Sequence, residues 1–461
     1  MPMRHSPERR LDAPLALART VARAWRALLC AAVFGGAATV GQAQSIQELY
    51  DAARGYDAAF LAARAQYDSA QYLREQAKAL LRPSVTLGAA TTRSGSDTPV
   101  SDTWSTNTQA TLRGTQPLFN RSNRVSVEQA ERIYGVASTN FEAAEQDLII
   151  RLTSAYLNVL AAQDTLTTAQ ANTKAINQQL ASAKRNFEVG TATITDTREA
   201  QARFDLATAQ EIVADNDLRS ARIALDQLVG RQNVEPQRLA VPVRLAPLEP
   251  PSADAWVAQS GQAPVIRRAL LAYQIAELET AKARAGHLPT VDLVGSFGKQ
   301  RNDGVVGAST GSLSVPGTFT STSVGVQLNL PLFTGYSVQN RVKETLALQE
   351  RARNDAEGAR RDVERGTRQA FFAVQSGEAQ VRALEAAEAS SQLALEATQL
   401  GFKVGVRVNI DVLNAQTQLF TTQRDLARAR YNVVLGNLQL RQVSGTLQPA
   451  DIGSVNGLLL R

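Results

Sequence analysis

The placement of proline constrains this chain more than any other feature. Beyond the first forty-odd residues the prolines cluster at 83–117, 236–264, 289–331 and 449, leaving 118–235 and 332–448 without one. Proline inside a helix removes a hydrogen bond and clashes with the preceding turn, so these runs are free to form unusually long helices. Residues 136–189 contain neither proline nor glycine. A single helix over that stretch reaches about 80 Å at 1.5 Å per residue. A compact domain has no use for such an element.

The chain also repeats itself. Phe187, Val189, Gly190 and Asp196 recur at one offset as Phe402, Val404, Gly405 and Asp411, and Gly230 recurs as Gly445. Upstream, Pro117-Leu118-Phe119 returns as Pro331-Leu332-Phe333, and Pro83-Ser84-Val85 as Pro289-Thr290-Val291. Two copies of one unit are fused, each reading helix, strand, loop, strand, long helix, turn, long helix.

Strand assignment rests on alternation. Val324, Val326, Leu328 and Leu330 interleave with Ser323, Gly325, Gln327 and Asn329, giving one apolar and one polar face. Val291, Leu293, Gly295 and Phe297 form a partner strand, and the first copy offers Val85, Leu87 and Ala89, followed by the polar run 104–116. The stretches 94–103 and 301–320 are rich in Gly, Ser, Thr and Asp and predict exposed loops. The last helix carries a heptad of Val412, Leu419, Leu426, Val433 and Leu440, with Ala415, Thr422 and Ala429 three residues on. A seven-residue repeat predicts supercoiled packing, and the small second position allows close backbone approach.

Six arginines, an apolar run at 28–40 and the small residues Gly41 and Ala43 give the first 43 residues the form of a secretory signal. Setting that segment aside leaves 43 Lys+Arg against 41 Asp+Glu, so the basic excess that would suggest nucleic acid nearly vanishes. Cys30 is the only cysteine and falls inside the signal, so the remainder has no thiol chemistry. No later segment is apolar enough for a membrane helix, so a membrane span would have to be a barrel. Four strands of about ten residues are long enough to cross an outer membrane but too few to close a barrel, which begins at about eight. Three chains would supply twelve strands and leave a lumen.

The run from Val404 through Asn409, Ile410 and Asp411 to Ala415, then Ala429-Arg430-Tyr431-Asn432 and Ser444-Gly445-Thr446-Leu447, resembles the second-half signature of the TolC family. Gly286-His287-Leu288-Pro289-Thr290 and Pro331-Leu332-Phe333 resemble that family's strand entry and exit. The resemblance implies an α+β membrane protein, a homotrimer whose twelve-stranded barrel sits in a Gram-negative outer membrane and continues as a coiled-coil tunnel in the periplasm. The expected division is a signal at 1–43, a first repeat at 44–235, a linker at 236–251, a second repeat at 252–447 and a tail at 448–461. The implied function is the exit duct of a tripartite efflux or type I secretion system. Its implied partners are outer-membrane lipid, a periplasmic adaptor (membrane fusion) protein and an inner-membrane ABC or proton-coupled pump.

From the residues alone, Gly190 and Gly405 fit helix C-caps, and Asp196 and Asp411 fit the first turn of the next helix. The resemblance implies more. Asp411 would face the pore and form a ring of carboxylates, with Asn414 standing where the family has a second acid. Arg407 matches the arginine that links inner and outer helix pairs, Thr195 and Asp196 match its partners, and Phe402 replaces a linking tyrosine. The tips at Val189, Gly190, Val404 and Gly405 match the adaptor's docking points. Catalysis finds little to build on, since His287 is the one histidine outside the signal and Gly298-Lys299 lacks the spacing of a phosphate loop. A metal site or cofactor is likewise not expected. The competing reading is a periplasmic adaptor or structural coiled-coil protein, which has one hairpin set into small β domains.

Overall fold

A computed structural model describes residues 44–98, 101–240, 248–303 and 316–459. The signal segment and part of the linker, 241–247, lie outside these residues, as does 304–315 of the second expected loop. The elements are α1 (Ile46–Tyr56), α2 (Ala58–Ala79), β1 (Ser84–Thr98), β2 (Ser101–Phe119), α3 (Arg121–Glu188), α4 (Ile194–Val229), α5 (Ala253–Gln259), α6 (Pro264–Ala285), β3 (Thr290–Asp303), β4 (Gly317–Asn329), α7 (Ser337–Lys403), α8 (Asn409–Val443) and α9 (Asp451–Asn456). The order repeats about the linker, as the duplication requires.

Helices α3 and α7 contain 68 and 67 residues, about 100 Å each at 1.5 Å per residue. The first runs through Gly135 and starts well before 136, where the glycine-free stretch begins. One glycine in a helix this long costs only about 1 kcal/mol relative to alanine. The heptad of α8 is buried as expected at Val412, Leu419, Leu426, Val433 and Leu440, with Thr422 and Ala429 beside it.

The four strands form one antiparallel sheet in chain order. Its central pairing, β2 against β3, joins the two repeats, with Leu112 opposite Phe297 and Gly114 opposite Gly295. The ladder slips between Pro117 and Phe119, as expected where proline has no N–H to donate. The strands are 15, 19, 14 and 13 residues long, more than the ten or so expected. Two predicted loops are also corrected. Pairing continues to Thr98 opposite Ser101, and residues 301–303 and 317–320 belong to strands. A ladder of backbone hydrogen bonds outweighs the weak strand preference of Gly, Ser and Asp.

The largest buried cluster lies partway along the long helices. Ile46, Leu49 and Tyr50 of α1 pack on Leu148, Leu152 and Tyr156 of α3, and α9 adds Ile452 and Val455. Asp57 ends α1, caps α2 by accepting from the Phe60 N–H at 2.8 Å, and takes two bonds from the Arg151 guanidinium at 2.9 Å each. That guanidinium holds the Asp57 carboxyl below the usual carboxylate range. Tyr431 of α8 donates to Asp164 of α3, and burial, then this carboxylate, pushes its hydroxyl pKa up. The Asp57–Arg151 pair fastens α1 and α2 to α3, and the Tyr431–Asp164 bond with the shared cluster clamps the two hairpins together at mid-length. Toward the turns the packing thins to Ile176, Leu180, Ala183, Ala200 and Ala207, with Leu413 completing the cluster from α8.

Candidate functional site

Helix α3 ends at Glu188 and α7 at Lys403, each in the same capping geometry. Gly190 and Gly405 sit at φ +77° and +81°, where a side chain would strain the backbone. The N–H of Thr191 donates to Asn186 O and that of Gly190 to Phe187 O, and Val406 and Gly405 repeat the pattern with Gly401 and Phe402. These paired bonds satisfy carbonyls that the helix end would otherwise leave open.

After the glycine the two turns part. Thr193 caps α4 by accepting from the Asp196 N–H at 3.2 Å, while the Asp196 carboxylate accepts from the Thr193 N–H at 2.9 Å. This is a complete capping box, and it uses the Oδ2 atom of the Asp196 carboxylate. Position 408 holds valine instead, so α8 has no side-chain cap. Asp411 lies in the first turn of α8 as expected, but its carboxylate faces Arg407 Nη1 at 3.6 Å instead of capping. Next to it Asn409 is buried, with both amide atoms lacking a hydrogen-bond partner.

The expected site residues divide between the two turns. Phe402 packs against Leu395, Val412 and Leu419. Thr195 is exposed on α4, and Asn414 is exposed on α8. Among the described residues no ion pair or hydrogen bond joins Arg407 to Thr195 or Asp196 within one chain. Near the turns the polar tie between the hairpins is a different pair, Arg203 Nη2 donating to Asn414 Oδ1 at 3.0 Å. Arg203 carries no local sequence signal of this role, being one of several charges on a helical surface. Val189 and Val404 project at the tips, 72% and 66% exposed.

Among the described residues no helix is long and apolar enough to cross a membrane, and no cluster of His, Cys, Asp and Glu converges as a metal site. The sheet carries the membrane-facing signal. Val85, Leu87, Leu293, Val324, Val326 and Leu328 share one face by register and are all exposed. The opposite face carries Asn107, Gln109, Ser296, Gln300, Ser323 and Gln327. Apolar outside and polar inside is the alternation of a barrel wall.

A four-stranded share of such a wall, continued into two long helical hairpins, defines one subunit of an outer-membrane channel. The chain matches the model of the outer membrane efflux protein family over residues 49–231 and 260–446, and it belongs to that family. It is 32% identical to outer membrane protein TolC of Vibrio cholerae over 93% of this chain and 97% of the relative. It is 30% identical to the alkaline protease secretion protein AprF of Pseudomonas aeruginosa over 86% of this chain and 83% of the relative. The crystal structure of outer membrane protein VceC from Vibrio cholerae has the same fold, with a TM-score of 0.73 at 20% identity over 87% of this chain and 96% of that one. The protein is an outer-membrane channel whose helices extend into the periplasm, and its family is one of transport channels.

Proposed function

We propose that three copies of this chain close one twelve-stranded barrel and form the exit duct of a tripartite efflux or type I secretion system. The supporting observation is the open sheet: β1 and β4 each pair with one neighbour only among the described residues. Unpaired strand edges are not tolerated in hydrocarbon, so β4 of one copy must meet β1 of the next. A heat-modifiable trimer in detergent, converting to monomer on boiling, is the expected result. A stable monomer in detergent would refute it.

On this reading the turns close the periplasmic end, with Asp411 and Asn414 at the constriction and Phe402 packed behind them. Arg407 is exposed and pairs only loosely with Asp411, leaving its guanidinium able to meet Asp196 and Thr195 of a neighbouring copy. That latch would hold the entrance shut until an adaptor, driven by an inner-membrane ABC or proton-coupled pump, docks on Val189, Gly190, Val404 and Gly405. Removing the guanidinium with Arg407→Ser should raise single-channel conductance and leakage of bulky antibiotics. No change in either measurement would remove Arg407 from the gate. The division into repeats at 44–235 and 252–447 belongs to the same proposal, each repeat supplying two strands and one hairpin.

A further inference from the structure

Beyond its apolar rows the apolar face of the sheet carries one cation in each of three successive rows. Leu87, Leu112 and Phe297 lie side by side by register, and one step further from the helices come Ala89, Ala110 and Lys299. The next row on that face is Thr91, Thr108 and Arg301, followed by Arg93, Thr106 and Asp303, then Gly95 and Trp104. Since the helices extend into the periplasm, these rows lie at the end of the barrel facing the cell exterior. Charges are tolerated on a lipid-facing surface only near the interface, so the change from Phe297 to Lys299 marks where acyl chains give way to headgroups.

The arrangement there is a recess, with small residues between long cations. Ala89, Ala110, Thr91 and Thr108 floor an open cavity of about 500 Å³, and Lys299, Arg301 and Thr318 stand at its side. Lys299 makes no ion pair among the described residues. Arg301 pairs through Nε with Asp303 at 3.0 Å, leaving its terminal nitrogens for another anion. Arg93 lies 4.9 Å over the Trp104 ring, which itself covers Gly95 so closely that any Cβ there would collide at 2.9 Å. The Arg93–Trp104 stack lies on the same face beyond the recess, farther from the apolar band, and adds a second cation with an aromatic ring there.

We propose that this recess binds the phosphate of a phosphorylated glycolipid in the outward leaflet of the membrane. Lys299 donates to the phosphate as a point charge, and Arg301 donates from its terminal nitrogens. The lipid's acyl chains run down the band formed by Leu87, Leu112, Phe297 and Val324. Charge complementarity selects the headgroup, and the small floor residues leave room for a sugar that larger side chains would exclude. The proposal rests on the apolar face being the outer wall of the closed barrel.

Native mass spectrometry of the detergent-purified full-length protein, titrated with bisphosphorylated lipid A, its dephosphorylated form and phosphatidylglycerol, tests it. Wild-type protein should retain the bisphosphorylated lipid at least about tenfold more tightly than either other lipid, the effect of two charge-assisted contacts. Lys299→Ala with Arg301→Ala should abolish that preference, while Lys299→Arg keeps it. Asp303→Asn, which removes the competing negative charge beside Arg301, should tighten binding about twofold. Equal binding of the dephosphorylated lipid or of phosphatidylglycerol would overturn the proposal, as would an unaffected double variant. A trimer band on the unboiled gel separates this failure from failure of the barrel to close.

Discussion

The turn at 190–196 closes on itself, whereas its repeat at 405–411 does not. Both begin with the same glycine-terminated helix end, and both place an aspartate six residues after that glycine. Threonine at 193 draws Asp196 into a capping box, and valine at 408 leaves Asp411 to Arg407. Two differences, hydroxyl against methyl at 193 and 408 and Ala192 against Arg407, accompany the change from a capping carboxylate to one that faces an arginine. The duplicated unit has kept its fold in both copies while only the second has an acid that does not cap its helix, a buried amide without a partner at Asn409 and an uncapped helix start.

The largest expected effect tests whether the turns are energetically separate from the mid-length clamp. Asp57→Asn should lower stability by about 2–3 kcal/mol, the scale of hydrogen bonds to charged groups, while leaving gating unchanged. Because Arg151 depresses the Asp57 pKa in the folded state, this contribution is present above the ordinary carboxylate range and fades as pH falls through the lower folded value. Wild type should therefore lose stability in acid more steeply than the variant, as read by denaturant unfolding across pH. Altered conductance in Asp57→Asn would break the separation.

Exchanging the caps is the next largest effect. Thr193→Ala should destabilise the first turn of α4 by about 1–2 kcal/mol. Val408→Thr should stabilise the first turn of α8 by about 1 kcal/mol and draw Asp411 from Arg407 into a cap. Amide hydrogen exchange at 194–197 and 409–412 reads both. If Val408→Thr leaves protection at 409–412 unchanged, the difference between the turns does not come from this residue.

The glycines are the matched control. Alanine at Gly190 or Gly405 should cost about 1 kcal/mol each, because both need the left-handed conformation and neither has a neighbour within reach of a new Cβ. Local exchange should respond equally in both. A clear inequality would show that the two helix ends differ as well as the two helix starts.

Much of this was readable from sequence because backbone chemistry is local. Proline-free runs gave the long helices, the heptad gave the buried seam of α8, and alternation at 323–330 gave the polar and apolar faces of β4. Strand ends were misjudged where Gly, Ser and Asp at 94–98 resemble a loop, since their ladder partners lie elsewhere in the chain. The helix-end roles of Gly190, Gly405 and Asp196 were legible because they follow from a few neighbouring residues. Asp411 was expected in the same place and found there, but its partner depends on residue 408. The Arg203–Asn414 bond spans 211 positions and has no local signal at all.

That bond carries the smallest effect and the sharpest question about the two turns. It is a polar link from the first hairpin to the second near the turns, at a position one helical turn beyond Asp411. Both partners lie partly in solvent, so a double-mutant cycle of Arg203→Ala and Asn414→Ala should give a coupling of only about 0.5 kcal/mol. Asn414→Asp converts a neutral acceptor to a charged one and should raise the coupling roughly twofold. It would also add one carboxylate per chain beside Asp411 and shift the reversal potential of the reconstituted channel toward cations. A stronger coupling with an unchanged reversal potential would keep Asn414 as a tie between hairpins and remove it from the pore. The converse would place it in the pore and leave the hairpins held together near the turns by apolar packing around Leu413 and Ile410.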